Sequence, residues 1–242
     1  MSASRGLVKL TIFAVIGVAI LIGLGVWQLE RRVWKENLIA AMTARLNGVP
    51  QALPARANWP QLKQQADEFS RVTFQAEFQT GQEAFVYSAG SALRTDVKGL
   101  GYWVFAPARL ADGRIVVVDR GFVPLDAKDA AARVPAGKVD IVGVMRWPEK
   151  PGLFTPAADT KGNVWYLRDI AAMAAARGWG RIAPFYVEQE SPVPAGGLPK
   201  PGKLVVNLPN NHLQYAITWF GLALGLTAVY ALFVVRRLRR RY

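Results

Sequence analysis

The sequence predicts an α+β membrane protein in which two transmembrane helices, one near each end, flank a mostly β domain with short helices. Residues 10–29 and 215–235 contain no charged side chain, and as helices both runs are long enough to cross a hydrocarbon core about 30 Å thick. Between them, short apolar segments alternate with polar residues at a period of two, which is typical of strands with one buried face.

The first apolar run predicts an uncleaved anchor. It exceeds the length of about 7–15 residues that is usual for the hydrophobic region of a secretory signal, and no cleavage site of small residues follows it at residues 27–30. There is no room before it for an Arg-rich transit peptide, which favours a bacterial protein over an imported organellar one.

Basic residues at both ends predict the orientation. Arg5 and Lys9 precede the first run, and five arginines follow the second, so both termini should be cytoplasmic. We therefore expect a two-pass protein of the bacterial inner membrane, with residues 30–211 in the periplasm as one β-rich domain. The other predicted segments are a cytoplasmic N-terminus at 1–9, transmembrane helices at 10–29 and 212–235, and a basic cytoplasmic tail at 236–242.

The composition excludes several classes of function. Seven of the 30 basic residues lie at the two ends, which leaves 23 against 17 acidic residues and removes much of the net charge of +13. Without a basic stripe interleaved with aromatic residues, or a helix-turn-helix pattern, we expect no nucleic-acid partner. The absence of cysteine excludes disulfides and thiol chemistry, and four scattered methionines argue against copper(I) handling.

Periodicity predicts the elements between the spans. The first helix continues past the membrane, because no Gly or Pro interrupts it before Gly48. A loop rich in Pro and Gln follows, to about residue 70. Strands are then predicted at 72–78, 84–87, 103–110, 115–118, 139–145, 164–167 and 185–187.

Three local signals complete this outline. Asp112-Gly113 predicts a hairpin turn, since this pair accepts the positive φ that a tight turn requires. Residues 169–177, which begin at Asp169 and precede Gly178, predict a short capped helix. Residues 192–209 contain five prolines and predict a linker that returns the chain to the membrane.

The only histidine, His212, stands at the start of the second apolar run and has two interpretations. As a neutral imidazole it would be an axial ligand to haem iron. Alternatively, it would cap the second helix together with Asn210 and Asn211. In the first interpretation, three basic residues at the end of the first helix would pair with haem propionates: Arg31, Arg32 and Lys35.

Helix geometry places His212, Tyr215 and Trp219 on one face of the second helix. Gly221 and Gly225 lie roughly opposite and form a GxxxG pattern, which permits close approach of two helices.

Packing of this glycine pair against Ala19 and Gly23 of the first helix would leave the His212 face pointing outward, free to bind haem or a partner membrane protein. The alternative is that Tyr215, Trp219 and Trp27 form an aromatic belt at the membrane interface.

We expect no enzyme activity. One histidine and no cysteine cannot supply a Ser-His-Asp triad within the β domain or a multi-histidine metal site. Asp119, Arg120 and Gly121 are best interpreted as a strand end with an ion pair and a turn glycine.

Three segments together resemble the surfeit-locus (Shy-type) family of cytochrome c oxidase assembly proteins. They are GVWQLERRVWKENLI at 25–39, GYWVFAPARLADGRIVVVDRGFVP at 101–124 and NNHLQYAITWFGLA at 210–223. The match is imperfect, because Asp119 and Phe122 stand where Asn and Trp are more usual in the family's NRGWVP motif.

The resemblance implies two membrane helices around a periplasmic or intermembrane-space domain. It also implies a role in the respiratory chain: binding haem a and assisting its insertion into the largest subunit of the haem-copper oxidase, with His212 as the candidate ligand. The alternative is a scaffold without haem that stabilises the immature subunit. Haem a synthase is a further candidate partner, and a homo-oligomer is conceivable because each chain offers one imidazole.

Overall fold

The computed structural model describes residues 2–132 and 134–239. The chain divides into two compact units, Met1–Ala41 with Leu208–Tyr242, and Met42–Asn207. Arg240 and Arg241 of the predicted basic tail lie outside the described residues. The four helices in the described part are α1 (Ser2–Leu46), α2 (Gln64–Asp67), α3 (Ile170–Arg177) and α4 (His212–Arg239).

Eight strands are present in the same described ranges: β1 (Gln51–Ala52), β2 (Arg71–Phe78), β3 (Ala84–Gly90), β4 (Lys98–Leu110), β5 (Ile115–Pro124), β6 (Lys138–Arg146), β7 (Val164–Trp165) and β8 (Ile182–Ser191). Two 3-10 segments, Arg56–Gln61 and Leu125–Ala132, complete the regular structure.

The first unit is an antiparallel pair formed by α1 and α4. Both helices are long and apolar enough to cross a membrane, with mean hydropathy of 2.6 and 1.9. Thr11 bonds to the Tyr230 hydroxyl near one end of the pair, and Gln28 bonds to His212 near the other. The two helices predicted at the ends of the chain are therefore confirmed as long apolar helices.

Close helix approach occurs at a different glycine from the pair that the sequence suggested. A Cβ atom added to Gly25 of α1 would lie 2.5 Å from the Phe220 ring, whereas one added to Gly221, Gly225 or Gly23 would meet nothing within 4 Å. The predicted GxxxG contact is therefore wrong.

The face of α4 that packs on α1 carries alanines. Ala216 and Ala223 are buried. Phe220, which lies between them in the sequence, contacts α1. His212 lies four residues before Ala216, so it belongs to this packed face. The sequence had suggested instead that His212 points outward.

The second unit is built on one sheet with the strand order β1-β2-β6-β8-β5-β4-β3-β7. An additional antiparallel pairing joins β2 to β4 through Ala76 with Leu110 and Phe78 with Ala108. This pairing closes β2, β6, β8, β5 and β4 into a small barrel. All five strands contribute apolar side chains to one core cluster, which includes Val72, Ala106, Val118, Ile141 and Phe185.

A second apolar cluster covers part of the barrel from outside. It packs Trp103 and Phe122 against residues that follow β7 and lie in α3, including Ile170 and Met173. The indole of Trp103 is fully buried, with its ring centroid 5.4 Å from that of Phe122. The polar residues described below lie at the edge of this layer.

Most predicted strands are confirmed, and several are longer than expected. β4 and β5 extend beyond the predicted 103–110 and 115–118, and the turn between them contains Gly113 with φ of +81°. β1 was missed because it is two residues long and lies in a Pro-rich stretch. Helix α3 has its predicted caps, since Asp169 accepts from the Ala172 N–H and Gly178 is left-handed.

The predicted linker at 192–209 is more ordered than its proline content suggested. Lys200 forms a two-way backbone bridge with Phe122 of β5. The buried Arg94 guanidinium donates to the carbonyls of Lys200 and Pro201 at 3.2 Å each. Residues 198–204 therefore pack along the barrel before the chain reaches α4.

Candidate functional site

His212 is the first residue of α4, and its ring is held by α1. The Nδ1 atom lies 2.7 Å from Oε1 of Gln28, and the histidine is half-buried. A side-chain amide oxygen can only accept a hydrogen bond, so Nδ1 carries the proton and donates. In the neutral imidazole the other ring nitrogen, Nε2, then has a free lone pair, which is the form that binds a metal ion.

The three predicted basic residues have separate contacts within the helix pair. Lys35 donates from Nζ to the Pro209 carbonyl at 2.5 Å, so it lies beside the segment that precedes His212. The Arg31 guanidinium lies 3.6 Å from the centre of the Trp34 ring. Arg32 pairs with a glutamate one turn later on the same helix, and both side chains are largely exposed. Only Lys35 among them bridges to the chain near His212.

The predicted aromatic residues differ in exposure. Trp27 and Tyr215 are 52% and 56% exposed, so both rings are available to lipid or to a ligand. Trp219 is half-buried, and its indole Nε1 is buried without a hydrogen-bond acceptor among the described residues. An unsatisfied indole N–H inside an apolar helix pair is costly, which makes this position a candidate for contact with a polar group.

Gln28 is the residue at this site that sequence reasoning missed. A signal was present: apart from Trp27, the only side chains in residues 10–29 able to form hydrogen bonds are Thr11 and Gln28. Each of them bonds to α4, Thr11 to Tyr230 and Gln28 to His212. Polar residues in an apolar span are expected to face another helix for this reason.

The barrel domain contains a buried cluster of charged residues outside the predicted site. Asp119 on β5 and Glu188 on β8 are paired in register on adjacent parallel strands, and both are buried. Glu188 accepts from Arg146 at 3.1 Å, and Arg168 donates to Glu149 at 3.0 Å. These arginines neutralise an acidic row that would otherwise be buried without counter-charges.

Asp119 is the most deeply buried carboxylate of this cluster. One carboxylate oxygen accepts from the Gly121 N–H at 3.0 Å, and the other is buried without a partner among the described residues. Loss of solvation raises the pKa of Asp119 to about 8, helped by the neighbouring Glu188 and opposed by Arg168. Asp119 is therefore a largely protonated carboxylic acid at neutral pH.

The interpretation of residues 119–121 as a strand end with an ion pair needs correction. β5 continues to Pro124, and Asp119 forms no ion pair within 4 Å among the described residues. Arg120 donates to the Ala131 carbonyl at 2.7 Å. Gly121 has φ of +113°, in the region that favours glycine, and its Cα lies against the backbone of Lys200 and Pro201.

In residues 2–132 and 134–239, no cluster of three or more His, Cys, Asp or Glu side chains could hold a metal ion. A ligand role in the described part therefore depends on single side chains, of which His212 has the most suitable chemistry.

Comparison with known proteins gives the family. A sequence model of the SURF1 family matches residues 15–224. Surfeit locus protein 1 of Rattus norvegicus is 31% identical over 228 residues, which cover 89% of this chain and 72% of the rat protein. The human protein of the same name is 32% identical, with 83% and 69% of the two chains covered.

The SURF1-like protein of Drosophila melanogaster is 33% identical, over 89% of this chain and 74% of the fly protein. These proteins form a group of membrane-associated assembly factors that are not known as catalytic enzymes. The chain therefore belongs to the SURF1 family, and this membership implies a role in cytochrome c oxidase assembly.

Proposed function

We propose that this protein binds haem a transiently and assists its insertion into the largest subunit of the oxidase, with His212 as an axial ligand to the iron. The observation that carries the proposal is the hydrogen bond between His212 Nδ1 and Gln28, 2.7 Å long. It fixes the ring orientation and, in the neutral imidazole, leaves the lone pair on Nε2, which are the two requirements that a haem protein imposes on an axial histidine.

The surroundings of His212 fit a haem in three respects. The exposed rings of Trp27 and Tyr215 offer apolar surface for a flat macrocycle. The buried Nε1–H of Trp219 has no acceptor among the described residues and offers a donor for a polar substituent. Lys35 keeps two N–H donors beyond its bond to Pro209, and these suit a propionate.

When bound, haem a supplies an iron with axial positions and acidic propionates, and the chain supplies orientation. Gln28 holds the imidazole, α1 and α4 hold Gln28 and His212 opposite each other, and Lys35 fixes the segment before His212. Each chain would supply one imidazole, so any further ligand would come from a second copy, the oxidase subunit or haem a synthase.

We further propose that α1 and α4 span the bacterial inner membrane, with both termini in the cytoplasm and the barrel domain in the periplasm. The basic residues of the last turn of α4, Arg236, Arg237 and Arg239, support this orientation. Because the chain has no cysteine, a single Thr80→Cys change in the barrel domain gives an unambiguous label site.

A maleimide that does not cross the inner membrane is expected to label Thr80→Cys in cells with a permeabilised outer membrane. Labelling only after the inner membrane is lysed would reverse the orientation.

Replacement of His212 by alanine is expected to remove haem a from the purified protein. The full chain would be purified in detergent from cells that synthesise haem a, and its optical spectrum and extracted haem measured beside wild type. Loss of the only imidazole removes the axial bond, and a loss of haem of about tenfold or more is expected. Full haem content with an unchanged spectrum in His212→Ala would refute the ligand assignment.

Gln28 provides two complementary variants, one that removes the acceptor and one that keeps it. Gln28→Leu removes the acceptor, so haem affinity should fall by about 10–100-fold, as is typical for partners of metal-bound histidines. Gln28→Glu keeps an acceptor and adds negative charge, so haem should be retained with a lower midpoint potential.

Absence of haem from wild type as well, with haem a synthesis verified, would favour the scaffold. In that function the exposed helix surface and the barrel would stabilise the immature oxidase subunit, and His212 would serve the helix contact alone.

A further inference from the structure

A groove near the C-terminal end of α4 joins apolar and basic side chains on one face of the helix. Its volume is about 490 Å³, and the described residues that line it are Val229, Leu232, Phe233, Arg236 and Arg237. Their spacing of three, four, seven and eight residues places them on one face, with the apolar side chains first and the arginines last. Over about 10 Å of helix, the surface therefore changes from apolar to basic.

The groove lies beside the contact between the two helices. The Tyr230 hydroxyl bonds to Thr11 of α1, so Tyr230 marks the side of α4 that faces α1. Phe233 and Arg237 follow Tyr230 by three and seven residues and therefore lie near this side. The Arg237 guanidinium is 6.0 Å from the centre of the Phe233 ring, a contact that helps to order both side chains. The groove therefore follows the margin of the helix pair.

The end of the helix pair that carries the groove has basic residues and no acidic ones. Helix α4 contains no Asp or Glu, and the first acidic residue of α1 is Glu30, about 28 Å of helix away from Thr11. Lys9, two residues before Thr11, adds positive charge at the same end. The groove therefore complements an anionic group, and no side-chain carboxylate near it in the helix pair can supply one.

The two arginines stand where the headgroups of a bilayer would lie. Residues 215–235 carry no charge, and as a helix they span about 31 Å, close to the thickness of a hydrocarbon core. Arg236 and Arg237 follow this run directly, at the level of lipid phosphates. The three apolar lining residues are exposed and stand at the level of the acyl chains. A ligand of this groove must therefore combine an anionic head with an apolar tail.

We propose that the groove binds one anionic phospholipid, whose phosphate lies between Arg236 and Arg237. Its acyl chain lies along Val229, Leu232 and Phe233. Guanidinium groups match a phosphate because each offers paired N–H donors in a fixed plane. A free phosphate would leave the apolar half of the groove uncovered, whereas a phospholipid covers both halves. The proposal rests on α4 spanning a membrane, and it is independent of haem and of His212.

Native mass spectrometry of the full-length protein in detergent tests this assignment. The protein would be titrated with phosphatidylglycerol and, separately, with phosphatidylcholine of the same acyl chains, and the fraction that keeps one lipid measured. Wild type should reach half-saturation with phosphatidylglycerol at a concentration about tenfold lower than with phosphatidylcholine. Inorganic phosphate at the same concentrations should not displace the lipid, because it lacks an acyl chain.

Single substitutions separate the groove from the general charge of the membrane surface. Arg236→Gln should raise the half-saturating concentration of phosphatidylglycerol about fivefold, the loss expected for one basic residue at the headgroup level. Lys9→Gln is the matched control, since it removes the same charge at the same end from a residue outside the described lining, and it should have little effect. Phe233→Ala should weaken binding of both lipids, whereas Phe13→Ala, which removes an exposed ring of α1, should not.

Three results would overturn the proposal. Equal affinity for the two lipids, or equal losses in Arg236→Gln and Lys9→Gln, would mean that the arginines act only through overall charge. A dimer that carries no lipid would mean that a second copy of the chain covers the groove. None of these results bears on the haem proposal, which His212→Ala tests separately.

Discussion

Replacement of Gly121 by alanine is expected to destabilise the barrel domain by about 3 kcal/mol or more, through two effects that act together. Gly121 has φ of +113°, which L-residues rarely adopt. A Cβ there would lie 2.5 Å from the Pro201 nitrogen and closer still to the carbonyl of Lys200. The obstacle is backbone, which cannot move aside without breaking the bridge between Phe122 and Lys200.

Urea unfolding of the full chain in detergent, followed by tryptophan fluorescence, measures this loss. Gly137→Ala is the matched control: its φ of +72° is also positive, but an added Cβ meets nothing within 4 Å. It should cost only about 1 kcal/mol. Equal losses in the two variants would show that the return segment does not pack against β5 as described.

Replacement of Asp119 by asparagine is expected to stabilise the domain, and the gain should grow with pH. Burial raises the pKa of Asp119 from 3.8 to about 8, so between these values the folded protein holds a proton that the unfolded chain has released. The stability associated with this carboxyl is complete below the unfolded pKa and is lost as pH rises through the folded pKa. Asparagine has nearly the same shape and no charge to bury.

The expected gain is about 1–3 kcal/mol near pH 8 and close to zero near pH 3, where aspartate is largely protonated in both states. Urea titrations over this pH range would compare Asp119→Asn with the parent. Asp126→Asn, which removes an exposed carboxylate, is the control and should show no such trend. A variant less stable than the parent at the upper end of the range would mean that Asp119 is ionised and stabilising.

The strands and helices were largely predictable because local patterns determine them. Alternation of apolar and polar residues located β2 and β6, and the Asp112-Gly113 pair located the hairpin between β4 and β5. The second half of β5 was missed for a physical reason: it is buried on both faces, as the continuous burial from Ile115 to Val123 shows. Alternation disappears from such strands.

Helix packing was predicted less well, because several small-residue patterns in two apolar helices compete. Gly221 and Gly225 satisfy the GxxxG pattern, yet the contact uses Ala216, Ala223 and the ring of Phe220 against Gly25. The polar pair between Gln28 and His212 selects this arrangement, since rotating α4 towards its glycines would leave both side chains unsatisfied in an apolar environment.

The candidate site was only partly predictable, because part of it depends on contacts between residues far apart in the sequence. His212 was evident because it is the only histidine, and the structure adds Gln28, whose importance depends on a pairing across 184 residues of sequence. The buried row of Asp119 and Glu188 could not be foreseen, because nothing local distinguishes a carboxylate that faces a covering layer from one that faces solvent. Only the pairing of β5 with β8 brings them together.

The arrangement of strands also bears on how the domain, which has no cysteine, avoids aggregation. Sheet edges expose unpaired N–H and C=O groups that recruit other chains into aggregates. Here β2 pairs with β4, and the outermost strands of the order, β1 and β7, are only two residues long in the described chain. Edges this short offer few ladder positions to an invading strand, so the domain should resist fibril-like association.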